Sequence, residues 1–294
     1  MQPFPMPIIV GSPRSGTTLL RFLLDSHPEL AIPPETGFLL LGKELTSGPN
    51  LCERFFQAIT NYPSEAPGWA DYHLPADVFQ VELQRIQPFT LADGFRTFYR
   101  MYATQHNKTR WGDKTPSYCS HLQFLQKLLP EARFVHVIRD GRDVAVSLRK
   151  RWFSPGYDID TQAWFWQTNV TEARRQGRHC RHYTEVRYED LINDTEQTIR
   201  QICSFIELDF HSNMLLYHEH TPHRLREHLA RVRIDGSVIV SQEERFAQQA
   251  ATTLPPDASR IGQWKIQLTT EDIHRFETVA GDTLRDCGYE LYAK

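Results

Sequence analysis

The chain has 294 residues, 40% of them hydrophobic and 12% aromatic, enough for one large core, and nothing in it calls for a second domain, so residues 1–294 are expected to form a single α/β domain. Its 33 basic and 36 acidic residues nearly cancel, which excludes the net basic field that drives non-specific nucleic-acid binding; any anion site must be local. No apolar run is long enough to span a bilayer, and the first one has no basic residue before it and stops at Gly11, unlike a secretory leader.

The run Pro7-Ile8-Ile9-Val10 predicts a short buried strand, Gly11 to Gly16 a tight loop, and Thr17 to Asp25 a helix by its apolar spacing. That helix should stop near Ser26-His27-Pro28, because the residue before a proline is pushed out of helical geometry. From Glu29 to Gly112, helical segments broken by Pro49, Pro63, Pro67, Pro75 and Pro88 read as an irregular insertion. A helix over Ser120 to Leu129 then leads to a β-branched strand, Arg133 to Ile138, and Asp140-Gly141 turns into a helix carrying Val144, Val146 and Leu148. A helix from Thr161 to Arg175, a strand from Tyr183 to Tyr188 and a helix from Leu191 to Ile206 follow. Strands alternating with helices predict a central, mainly parallel sheet flanked by helices.

Cys52, Cys119, Cys180, Cys203 and Cys287 are odd in number and scattered, with no C-x-x-C pair, so reduced thiols are expected, and with them a cytoplasmic location. The Asn-x-Thr sequons at Asn107, Asn169 and Asn193 then read as chance.

Residues 11–20, GSPRSGTTLL, have the outline of a P-loop, a glycine-bracketed turn whose backbone N–H groups converge at a helix N-terminus to hold an anion. A nucleotide triphosphatase needs Lys directly after Gly16 and a hydroxyl for magnesium. Here Thr17 stands at the lysine position, Thr18 follows, and the one cation in the loop is Arg14. A phosphoryl group in transit needs a metal clamp. A sulfuryl group carries less charge, so an arginine with backbone and hydroxyl donors suffices and no metal is required.

This loop resembles that of the sulfotransferases that use 3′-phosphoadenosine-5′-phosphosulfate (PAPS), in which Pro-Arg/Lys-Ser-Gly-Thr-Thr follows a short strand. The match is Pro13-Arg14-Ser15-Gly16-Thr17-Thr18. The resemblance implies a P-loop-like nucleotide-binding fold and that residues 14–18 hold the 5′-phosphosulfate. It also implies that Arg139, in Val137-Ile138-Arg139-Asp140-Gly141-Arg142-Asp143, and Ser147 hold the 3′-phosphate. Arg139 at the carboxyl end of a strand, with Ser147 two helical turns on, makes sense on its own terms, because ligands collect at that edge of open α/β sheets.

Two further positions resemble the tyrosylprotein sulfotransferase branch. Glu35, in Ile32-Pro33-Pro34-Glu35-Thr36, falls where that branch carries its general base, and Lys114, in Trp111-Gly112-Asp113-Lys114-Thr115-Pro116, where it carries a catalytic lysine; Arg14 completes the catalytic set. Tyr188, in Val186-Arg187-Tyr188-Glu189-Asp190-Leu191, resembles the adenine-contacting segment. Ser259-Arg260-Ile261-Gly262-Gln263-Trp264-Lys265 resembles the basic loop that closes over the 3′-phosphate, making Arg260 and Lys265 ligands.

His136 and His27 are expected to be structural. His211, His218, His220, His223 and His228 crowd one stretch, which reads as a solvated loop and acceptor lid rather than a metal site. The partners implied are PAPS and a hydroxylated acceptor: a small alcohol or phenol, a sugar, a lipid or a peptide tyrosine. A P-loop kinase or hydrolase and a catalytically inactive nucleotide-binding module are the competing readings. The absent lysine argues against the first, and the candidate base against the second.

Overall fold

In the computed structural model, which describes residues 4–292 apart from Lys150 and Trp152, the chain begins with strand β1 (Met6–Val10), helix α1 (Thr17–Asp25) and a short strand β2 (Leu30–Ala31). Helices α2 (Leu51–Thr60), α3 (Ala76–Gln84) and α4 (Leu91–Gln105) follow, then β3 (Arg110–Trp111), β4 (Asp113–Lys114), α5 (Leu122–Leu128), β5 (Ala132–Ile138), α6 (Gly141–Leu148), α7 (Ile159–Gly177) and β6 (Tyr183–Arg187). The remainder comprises α8 (Tyr188–Asn193), α9 (Thr195–Phe205), α10 (Tyr217–Leu225), β7 (Arg231–Val232), β8 (Val238–Val240), α11 (Gln242–Gln249), α12 (Trp264–Gln267) and α13 (Thr270–Asp286).

The main sheet has the order β4-β1-β5-β6 with every neighbouring pair parallel. Alternate side chains of a strand face opposite ways. Accordingly Ile8 and Val10 of β1 join the core under α4 and α5, while Ile9 joins the core under α1 and α9. A third core, around Trp166 and Phe276, seats α7 and α13 beside α6. Both faces of the sheet are covered, as the alternating pattern predicts.

Because the four strands run the same way, their carboxyl ends share one edge. Lys114 ends β4, the glycine-bracketed loop follows β1, Arg139 follows β5 and Tyr188 follows β6. In register, Ile9 pairs with Lys114 and Ile138 with Arg187. Topology alone thus gathers motifs that lie far apart in sequence.

The insertion after Glu29 is more regular than its prolines suggest. Pro75 caps α3 from outside, and Pro49 and Pro88 precede α2 and α4, so they punctuate helices instead of breaking them. Phe38, Phe55, Phe79, Phe95, Phe98 and Tyr99 pack there ring against ring. The single helix expected from Leu191 to Ile206 is two, α8 and α9, parted at Asp194, whose backbone is not helical (φ −131, ψ 50).

The His-rich stretch is not a loop. A 3-10 turn at Ser212–Leu216 leads into α10, which buries Tyr217, Thr221 and Leu225 at a spacing of four despite the internal Pro222. Arg224 secures it by donating to both carboxylate oxygens of Asp25, at 2.8 and 3.1 Å. The apolar stripe is short and interrupted by a threonine, which hid it in the sequence. His136 and His27 are structural: His136 Nδ1 lies 2.7 Å from the Tyr183 hydroxyl, and His27 Nε2 lies 2.9 Å from the Asp209 carbonyl. All five cysteines are free thiols. Among the described residues no helix is long and apolar enough to cross a membrane.

Candidate active site

The loop after β1 bends through three residues in left-handed or unusual backbone: Gly11 (φ 155), Arg14 (φ 73) and Gly16 (φ 97). Position 16 requires glycine. A Cβ there would stand 2.4 Å from Cδ2 of Tyr188, so the bare backbone lets that ring pack against the loop. The turn closes with Ser15 N–H donating to the Ser12 carbonyl at 3.0 Å, and α1 begins at Thr17 with its first N–H groups free to meet an anion.

Across the sheet edge, Arg14 Nε donates to Ser147 Oγ at 3.0 Å. Arg139 donates to the Arg14 carbonyl at 3.3 Å and to the Arg260 carbonyl at 2.7 Å, and its guanidinium lies 4.4 Å from the Tyr188 ring centroid. These groups bound a cavity of about 470 Å³. Arg14, Gly16, Thr17, Thr18, Arg139, Ser147, Tyr188 and Arg260 all line it. Ser15 is buried in the loop, its hydroxyl without a partner among the described residues. Lys265 is not brought in: it is exposed on α12, its ammonium 5.5 Å from the Trp264 ring.

The remaining residues of the Arg139–Asp143 motif build the scaffold. Asp140 caps α6 by accepting from Arg142 N–H at 2.9 Å, and it clamps the Arg142 side chain, which reaches on to Glu277 at 2.7 Å. Asp143 accepts from Gly262 N–H at 2.8 Å and Trp264 N–H at 2.9 Å. The closing segment near Arg260 is therefore pinned to the helix that carries Ser147.

Arg151 follows Ser147 by four residues but belongs to no motif that would mark it in the sequence. It lines the cavity, and its Nε is buried without a partner among the described residues, as is that of Arg139. Gln248 and Gln249, at the end of α11, also line the cavity and carry no motif that could have disclosed them. Burial, then repulsion from Arg151 and Arg139, lowers the pKa of Arg14 to about 10, with Glu35 opposing. Cations crowded this closely make a place for an anion of more than one charge.

Glu35 and Lys114 form an ion pair through Lys114 Nζ and Glu35 Oε1, and Lys114 Nζ also lies 3.4 Å from Thr18 Oγ1. The lysine is buried and the carboxylate about half exposed. Burial lowers the Lys114 pKa, and Glu35 opposes the shift. Neither residue lines the cavity, but Thr18 does, so the pair stands at the cavity edge.

What fixes Glu35 is its neighbour. Thr36 Oγ1 donates to Asp113 Oδ2 at 2.6 Å, and Tyr99 donates to the same oxygen at 2.7 Å. Tyr72 donates to the Glu35 carbonyl at 3.3 Å. Adjacent residues of one segment, Glu35 and Thr36, thus engage adjacent residues of β4, Lys114 and Asp113.

Residues 5–212 match the model of the sulfotransferase family. The chain belongs to the sulfotransferase family. A putative protein-tyrosine sulfotransferase of Caenorhabditis briggsae is 31% identical over 71% of this sulfotransferase and 68% of that relative. The nodulation protein NoeE of Sinorhizobium fredii is 26% identical over 97% of this chain and 67% of its own. Among solved structures, the sulfotransferase domain from the curacin biosynthetic pathway superimposes with a TM-score of 0.62 at 19% identity, covering 99% of this chain and all of that one. The resemblance to sulfotransferases, the tyrosylprotein branch among them, and the parallel α/β fold it implied are both borne out.

Proposed function

We propose that this sulfotransferase takes PAPS as donor and moves its sulfuryl group to a hydroxyl of an acceptor, releasing adenosine 3′,5′-bisphosphate, with the whole chain acting as one domain. One observation carries the reading: Arg14, Thr18, Arg139 and Ser147 bound one cavity, and the Glu35–Lys114 pair stands at its edge. The residues present fit such a nucleotide. The α1 N-terminus with Arg14, Thr17 and Thr18 suits one anionic group, and Arg139, Ser147 and Arg151 suit a second. The buried Nε atoms of Arg139 and Arg151 are donors without a partner among the described residues. The Tyr188 ring offers an aromatic face. Arg260 closes the cavity, and Lys265 drops out of the set.

PAPS supplies an activated sulfuryl group. An attacking hydroxyl must lose its proton as the new O–S bond forms and the S–O bond to the 5′-phosphate breaks. In this mechanism Glu35, half exposed at the cavity edge, takes that proton. Protonation of Glu35 cancels its charge and releases the Lys114 ammonium, which then faces the charge growing on the bridging oxygen. Arg14 stabilises the transferring group. Neither step calls on a metal.

The reading is tested with ³⁵S-labelled PAPS, EDTA and a set of acceptors: a phenol, a long-chain alcohol, a methyl glycoside and a tyrosine-containing peptide. Label should pass to at least one of them with release of adenosine 3′,5′-bisphosphate. Transfer that stops in EDTA and returns with magnesium contradicts the metal-free mechanism.

A further inference from the structure

His228 is the one histidine of the crowded stretch whose imidazole is buried, 3% exposed, with neither ring nitrogen bonded to any described residue. Buried polar atoms are nearly always satisfied, because an unpaired one has lost its water without a replacement partner. Two on one ring call for a reason.

The position supplies it. On the N-terminal side, Glu227 lies 3.9 Å from Arg21, whose Nε donates to the Ile32 carbonyl at 2.9 Å, three residues before Glu35. On the C-terminal side, Leu229 N–H donates to Asp71 Oδ1 at 3.0 Å, and the next residue, Tyr72, holds the Glu35 carbonyl. Both neighbours of His228 are therefore tied to residues that hold the Glu35 segment. Asp71 is itself gripped by Arg231 at 2.9 Å and Arg245 at 2.8 Å, so this arrangement is fixed. Burial first, then the fields of Arg21, Arg245, Lys114 and Arg231, push the His228 pKa well below the usual histidine value. The ring is neutral: one N–H donor, one lone pair, in surroundings that repel a cation.

We infer that His228 binds the acceptor beside Glu35, offering its two free ring nitrogens to an uncharged hydrogen-bonding group, a hydroxyl, ether or amide, on an acceptor that is not cationic. The inference rests on the sulfuryl-transfer reading and deepens it by naming an acceptor-binding residue and the chemistry it selects. In the free protein the ring is a cost; with acceptor bound it is satisfied.

Three variants test this: His228→Leu, which removes both nitrogens, and His228→Asn and His228→Gln, which restore a donor and an acceptor. Thermal melting without ligand, calorimetry with adenosine 3′,5′-bisphosphate, and transfer from labelled PAPS to whichever of the four acceptors the wild type uses are measured on each. The Leu variant should melt at or above the wild type, because a buried cost is gone, and bind the bisphosphate within about twofold of it. Its KM for the acceptor should rise on the order of tenfold, the equivalent of one or two hydrogen bonds, with partial recovery in Asn or Gln. A Leu variant that melts several degrees lower shows that the nitrogens are satisfied within the fold, by ordered water included, and overturns the inference, as does an unchanged acceptor KM. If the wild type uses none of the four acceptors, the melting comparison decides alone. Failure of the wild type to bind the bisphosphate strikes the donor assignment instead, an outcome the melting arm does not share.

Discussion

Arg14 Nε donates to Ser147 Oγ at 3.0 Å, a hydrogen bond that joins the glycine-bracketed loop to helix α6 across 133 residues of sequence. The contact would make the two proposed anion sites one unit: Ser147 lines the cavity and orients the Arg14 guanidinium. Ser147→Ala removes a cavity donor and frees Arg14, so affinity for adenosine 3′,5′-bisphosphate should fall severalfold, and Arg139→Ala, which removes a charged donor worth roughly 1.5–3 kcal/mol, should cost tenfold or more. Calorimetry on both variants checks this; unchanged affinity in both removes Arg139 and Ser147 from the site.

Glu35 and Lys114 should separate kinetically from the nucleotide ligands. Glu35→Gln keeps the shape but cannot take a proton, so kcat should drop by about two orders of magnitude while bisphosphate affinity persists. The loss should shrink with acidic phenols, which arrive partly ionised. Lys114→Ala should lower kcat far more than it raises KM for PAPS, the pattern of an interaction made in the transition state. A pure KM effect would make Lys114 a binding residue.

Gly16→Ala tests the packing of loop on ring. Its Cβ would stand 2.4 Å from Tyr188 and its φ of 97 disfavours any side chain. A stability loss of roughly 1–3 kcal/mol is expected, with weakened nucleotide binding. Wild-type melting and affinity would show that Tyr188 yields without consequence.

Stability should carry a histidine signature. Burial lowers the pKa of His136 to about 4, with Glu185 opposing, whereas in the unfolded chain it titrates near 6.5. Between those values the unfolded state binds more protons, so this contribution is present above about pH 6.5 and is lost as pH falls toward 4, by up to ~1.4 kcal/mol per pH unit. Asp113, raised by burial, acts with the opposite sign, so the test is a difference. Urea unfolding at pH 7 and pH 5 should show a smaller pH dependence for His136→Asn than for the wild type; equal dependence contradicts the assignment.

The parts of the site legible in the sequence are those whose chemistry is local. Residues 13–18 carry their turn, cation and helix start within six positions, and Arg139 and Ser147 share one strand-to-helix unit. The four parallel strand ends then bring these together. What stayed hidden depends on long-range partners. Asp71 meets Arg245 across 174 residues, and Leu229, next to His228, donates its N–H to the same carboxylate. Gln248 and Gln249 reach the cavity because Tyr217, Arg245 and Asp143 tie down the segment around them. No spacing rule announces such contacts. Lys265 misled for the converse reason: its one-position neighbour Trp264 is buried, and that turn of α12 sends the lysine to solvent.

The most direct test of the donor assignment is a calorimetric comparison of adenosine 3′,5′-bisphosphate with adenosine 5′-monophosphate, in EDTA, on the wild-type chain. The two differ by the 3′-phosphate that Arg139, Ser147 and Arg151 are proposed to hold. The bisphosphate should bind at least tenfold tighter, as expected of one or more charge-assisted hydrogen bonds. Equal affinity for the two nucleotides, or binding of neither, would contradict it.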